Sequence, residues 1–119
     1  MPDDPSKLLR RYHAALAPYR RAPLEGMFAP DAVYVSAGVA GRIAGRAAIL
    51  DAFDAYFGRF PGQIAEDDEL RTTGPHEAVA RWRLIARAAG DGREVRRSGR
   101  ETVRFDDAGR ILSVVVEDD

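Results

Sequence analysis

Glu101 is the residue in this chain whose setting most calls for chemistry. It stands two residues before Val103 and four before Phe105 in RETVRF. Alternate side chains of a strand share a face, so Glu101 points wherever Val103 and Phe105 are buried. A carboxylate against an apolar wall, here Trp82 and Val103, has its charged form disfavoured. Such a setting is where a general acid or base is expected. The structural alternative is that Glu101 pairs with an arginine such as Arg97, or sits at a rim. Tyr12 falls on an apolar helical stripe, where its hydroxyl either serves a ligand or is satisfied locally. His13 is about 100° further round the helix. That places it at a pocket edge or in solvent, beside Tyr12, where it would be a competent proton carrier. His76 follows Gly74 and Pro75 in a turn and reads as surface.

Other chemistries find little support. The chain has no cysteine, which removes disulfides, thiolate metal sites and a cysteine nucleophile together. Two distant histidines and an acidic run that alternates faces, Glu66 to Glu69, form no recognisable metal-ligand set. Ser36 lacks a nucleophile-elbow context. Gly38, Gly41 and Gly45 match neither a phosphate loop nor a dinucleotide fingerprint and read as a flexible turn. Neither a cofactor nor a metal is expected.

The frame that must hold these residues is small. In 119 residues, 18 Lys and Arg oppose 19 Asp and Glu, a formal charge of −1. This length suits one domain, residues 1–119, with one core, and the balance advertises no nucleic acid or anionic membrane. The opening MPDDPSKLL is acidic and broken by proline where a signal peptide is basic and then apolar. No apolar run approaches membrane-spanning length, so a cytoplasmic protein is the expectation.

Leu8, Tyr12, Ala15, Leu16 and Tyr19 recur at helical spacing behind Pro5 and Ser6, with Pro18 kinking or ending that helix near Ala17. A short helix or turn follows over Arg20 to Phe28. Val33, Tyr34 and Val35 are strand chemistry, and Arg46 to Phe60 is a helix carrying most of the aromatics, stopped by Pro61 and Gly62. Strands follow over Gln63 to Thr73, Glu77 to Ala89, Arg93 to Phe105 and Arg110 to Glu117, the last two closing as a hairpin. Helices first and antiparallel strands last indicate an α+β fold with helices on one face of a sheet. Ala80, Trp82, Leu84 and Ala86 share one face of their strand, and Arg81, Arg83 and Arg87 the other. Cross-strand ion pairs with the acidic run are the expected use of that outer face, with a subunit interface as the alternative.

The order of elements, with RRYHAAL in the first helix, FAPDAVYV entering the first strand, GRAAILDAF starting the long helix and FDDAGRI before the last strand, resembles the SnoaL-like and ketosteroid-isomerase-like branch of the nuclear transport factor 2 superfamily. The resemblance spans nearly the whole chain. It implies a cone-like half-barrel, a strongly bent antiparallel sheet wrapped around the N-terminal helices. It also implies a largely apolar pocket, lined by Tyr12 and Leu16 from the first helix and Phe53 and Phe57 from the long one. The sheet would add Ser36, Ala80, Trp82, Leu84, Glu101, Val103, Val114 and Val116.

In ketosteroid isomerases a first-strand carboxylate moves the proton, while a helix tyrosine and a late-strand carboxylic acid hydrogen-bond the enolate oxygen. By resemblance Tyr12 takes the tyrosine's place and Glu101 the acid's. Ser36 falls where the base belongs, and a serine cannot abstract a carbon-bound proton unaided. Related epoxide hydrolases and dehydratases use acid–arginine or histidine pairs, which the sequence does not display. The implied function is a pocket for a small hydrophobic molecule. Cofactor-free isomerase, cyclase or dehydratase chemistry through Glu101 and Tyr12 is one expectation; the other is a non-catalytic ligand-binding or dimerisation module. A homodimer through the outer sheet face is expected in either case.

Overall fold

The computed structural model describes residues 4–16, 19–36 and 41–119. The kink expected at Pro18 and the first glycine of the expected turn, Gly38, lie outside those residues.

Helix α1 (Pro5–Leu16) begins on a proline, which has no amide hydrogen to lose there. Its start is tied to the sheet: the Thr72 hydroxyl donates to Asp4 (2.7 Å) and accepts from the Ser6 amide (3.1 Å). After α2 (Arg21–Glu25) come β1 (Phe28–Ser36), β2 (Gly41–Ala44) and the long helix α3 (Arg46–Arg59). Four strands complete the chain: β3 (Ile64–Gly74), β4 (Glu77–Arg87), β5 (Glu94–Phe105) and β6 (Ile111–Asp118).

The strands make one curved, unclosed sheet of order β2-β1-β6-β5-β4-β3, a mixed α+β architecture. Two features differ from the sequence reading. The glycine-rich turn contains β2, paired antiparallel to β1, and Gly41 (φ 84°) and Gly45 (φ 96°) take left-handed backbone at its two ends. The sheet is not wholly antiparallel either, because β1 lies parallel to β6. A parallel pair needs a long crossover, and the whole chain between β1 and β6 supplies one.

The core lies between the helices and the concave face. Leu9, Tyr12, Leu24, Ile49 and Leu50 from the helices meet Phe28, Ala78, Ala80, Val103, Ile111 and Val114 from the sheet, all buried. Tyr12 meets Phe28 edge to face at 5.7 Å, and Phe53 meets Tyr34 in the same way at 5.1 Å, an arrangement that suits the ring quadrupoles. The convex face is charged, as expected. Arg83 bridges Glu66 and Asp68, Arg100 pairs with Glu117, and Arg81 with Asp119.

Candidate functional site

The helices do not fill the concave face. Between α1, α3 and strands β1 and β3 to β6 is a cavity of about 370 Å³, a size that suits a small organic molecule. Tyr12, His13 and Leu16 enter it from α1, and Phe53, Tyr56 and Phe57 from α3. The sheet contributes Tyr34, Ser36, Ala65, Asp67, Trp82, Leu84, Arg97, Glu101 and Val116, with Gln63 and Ile64 at the entry to β3.

Ten of the thirteen residues expected from sequence at the site therefore share one cavity. Ala80, Val103 and Val114 do not: all three are fully buried in the closed core. Val103 and Val114 are cross-strand partners on the inward face and belong to the same buried core cluster as Leu9 and Tyr12. Ser36 is buried in the wall, at the β1 position where the resemblance puts a base.

His13 is the centre of the polar end. Its Nε2 meets Glu101 Oε1 in a short hydrogen bond, and its Nδ1 lies 2.7 Å from Asp67 Oδ2. The expected alternative for Glu101, a pair with Arg97, is not formed, because Arg97 binds Asp118 instead through Nε (2.8 Å) and Nη2 (2.9 Å). Burial works against an imidazolium here. The Glu101 charge and hydrogen bonds to both carboxylates outweigh burial and push the His13 pKa up to about 10. At neutral pH His13 is thus a cation that donates from both ring nitrogens.

These contacts join residues 54 and 88 positions apart in the chain, so no spacing rule displays them. Asp67 is hidden in sequence by its acidic neighbours. The signal that finds it is strand parity. Asp67 pairs with inward-facing Trp82, whereas Glu66 pairs with outward-facing Arg83. Alternation then puts Asp68 on the convex face beside Arg83, and a bulge between Asp67 and Glu69 keeps Glu69 outward as well, opposite Arg81.

Among the described residues two buried donors on the cavity wall have no protein partner: the Tyr12 hydroxyl and the Trp82 indole N–H. Buried polar groups are nearly always satisfied, so an unmet pair beside a cavity marks where a ligand or ordered water belongs. Burial, with the Glu101 charge nearby, raises the Tyr12 phenol well above its ordinary value. It is therefore a neutral donor at any physiological pH. Tyr34, also near Glu101, is raised for the same reasons.

The far end of the cavity is polar too. The Arg97 guanidinium stacks on Trp82, 5.5 Å from the ring centroid. Tyr56 lies within hydrogen-bonding reach of Arg97 and donates to Gln63. Trp82 reaches its place because its cross-strand partner is Gly99: a Cβ on Gly99 would stand 2.8 Å from Trp82 Cζ2 and 2.1 Å from the Glu117 carbonyl oxygen. Among the described residues no group of His, Asp and Glu side chains could hold a metal ion, both ring nitrogens of His13 being engaged by carboxylates. His76 pairs with Asp107 at the surface, 2.9 Å away.

A curved sheet cupping helices over an apolar cavity with an ionisable cluster at one end defines a cone-shaped α+β pocket domain. The chain belongs to the SnoaL-like domain family, whose pattern matches residues 9–114. Solved structures share the fold at low identity. An NTF2-like protein of unknown function from Exiguobacterium sp. 255-15 superposes with a TM-score of 0.79 at 18% identity, covering 94% of this chain and 98% of that one. A protein with a ketosteroid isomerase-like fold from Catenulispora acidiphila, solved with trimethylamine, gives 0.81 at 14% identity over 93% and 84%. The epoxide hydrolase/cyclase-like enzyme SalBIII, from pyran ring formation in salinomycin, gives 0.83 at 15% identity over 95% and 88%. No curated protein sequence matches the chain significantly. Among the described residues no helix is long and apolar enough to cross a membrane.

Proposed function

We propose that this SnoaL-like protein is a cofactor-free acid–base catalyst, an isomerase, cyclase or dehydratase acting on a small, mostly apolar molecule. The observation that carries the reading is the placement of His13 between Asp67 and Glu101 at the wall of a cavity that also holds the unpartnered Tyr12 hydroxyl. Glu101 moves the proton, a role the resemblance gives to a residue at the position of Ser36. His13 fixes the carboxylate's orientation and offsets its charge. Tyr12, kept neutral, donates to the substrate oxygen that gains charge in the transition state. Asp67 holds His13 in its doubly donating form.

The test is solvent deuterium exchange at the α-carbon of enolisable apolar ketones, with 2-tetralone as first probe. Enzyme-dependent exchange in the wild type, lost in Glu101→Gln, supports the reading. Ketones that bind in the cavity and exchange no faster than in buffer overturn it.

A second reading concerns assembly and is compatible with the first. Ile64, which also borders the cavity mouth, and Ile85 are cross-strand partners at the sheet edge, 65% and 39% exposed, bordered by the ion pairs of Arg83. An apolar pair with a charged rim fits a homodimer contact through the outer sheet face. If the cavity proves inert, a ligand-binding or dimerisation module remains.

A further inference from the structure

The inward face of β5 carries one acidic and one basic side chain. Glu101 and Arg97 are four residues apart, which along a strand is about 13 Å, and both line the cavity with Gly99 between them. Trp82 lies across that glycine gap, its ring under the Arg97 guanidinium. The acid–base cluster needs only the Glu101 end. Nothing in it uses Arg97, Tyr56, Gln63 or the Trp82 N–H.

Asp118 occupies the Nε and Nη2 edge of Arg97 and Tyr56 takes a further hydrogen bond, but a guanidinium carries five N–H donors, so donors remain for a ligand. The two-point contact with Asp118 holds the plane of the fork, and a fork of fixed plane suits a planar two-oxygen acceptor. The Trp82 N–H, buried and unpartnered, adds a neutral donor to the same wall. The stretch between the two ends is apolar: Leu84, Val116, Phe53 and Phe57.

We propose that the Arg97 end is a recognition site for a carboxylate, so that the substrate is an apolar acid whose carboxylate lies at Arg97 while its reactive carbon lies at Glu101. The part of this that names the reacting end rests on the acid–base reading above; the carboxylate site does not. Arg97 and Trp82 act here as specificity residues. Asp118 competes with the ligand for the guanidinium and sets how strongly the free site attracts an anion.

The experiment compares 2-naphthoic acid with naphthalene-2-carboxamide, isosteric probes differing in charge, by calorimetry at pH 7 on the full chain. The wild type is expected to bind the acid about tenfold more tightly than the amide, as one charge-assisted pair allows. Arg97→Gln should abolish that preference, and Trp82→Phe should lower it. Asp118→Asn should raise acid affinity above wild type, a gain that a misfolded variant cannot mimic. Glu101→Gln should leave the preference in place, separating this site from the catalytic one. Equal binding of acid and amide, binding of neither, or a preference that survives Arg97→Gln overturns the proposal. A retained preference with no proton exchange on any ketone would overturn the catalytic reading alone.

Discussion

Asp67 and His13, on the edge strand and the first helix, meet at 2.7 Å although 54 residues separate them, and together with the Glu101 charge this contact holds a helical histidine as a cation. Asp67→Asn removes one of the two charges that hold the imidazolium. The His13 pKa is expected to fall from about 10 by at least about one unit. Imidazole nitrogen shifts followed by NMR between pH 5 and 11 check this.

The same shift links stability to pH. The His13 pKa is raised from 6.5 to about 10 on folding, so its contribution is complete below pH 6.5 and is lost as pH rises through 10. The difference in unfolding free energy between wild type and His13→Gln should be largest near pH 6 and shrink steadily toward pH 10. Breaking a largely buried pair of this kind costs about 3 kcal/mol at the lower pH. Urea unfolding at several pH values measures it, and a gap that widens with pH would contradict the assignment.

Tyr12→Phe separates function from stability. The Tyr12 hydroxyl is buried without a protein partner, so deleting it should leave the ligand-free protein as stable or more stable by about 1 kcal/mol. Proton exchange on a bound ketone should fall by roughly 100-fold if the hydroxyl stabilises the developing charge. Thermal unfolding and exchange rates on the same preparations give both numbers.

Gly99→Ala should destabilise the fold by about 2 kcal/mol, since the new Cβ meets a backbone carbonyl and the Trp82 ring at once. Trp82 is the sole tryptophan, and its emission should shift as the ring is displaced toward the cavity. Unchanged fluorescence with unchanged stability would show that the strand can relax around the methyl group.

Ile85→Glu tests the outer face. If the homodimer forms through the Ile64–Ile85 patch, the charge should convert it to monomer in sedimentation experiments with little effect on the midpoint of monomer unfolding. A monomeric wild type at high concentration rules the contact out.

Much of this molecule is legible along the chain. Tyr12 on its helical stripe, Trp82 and Glu101 on inward strand faces, and the aromatic α3 all follow from periods of 3.6 and 2, which are local properties. Strand β2 was not legible, because a four-residue strand that starts on one left-handed glycine and stops before another carries too little pattern to separate from a turn. Val103 and Val114 show the limit of parity: alternation says which face a side chain takes, not whether that face meets a cavity or a neighbour. Arg97 and Asp118 could not be paired in advance, since Glu101 on the same face was an equally good partner for the arginine.

Sequence by itself determined the α+β order, the inward carboxylate at Glu101 and the serine at position 36, because each depends only on residue type and local period. Tertiary structure alone decided that His13 faces Glu101 and Asp67, that one of four consecutive acids turns inward at a bulge, and that Arg97 lies opposite the acid end. The first of those outcomes depends on how helix α1 is laid across strands far from it in sequence. A rotation of that helix by one residue would carry His13 about 100° away from both carboxylates.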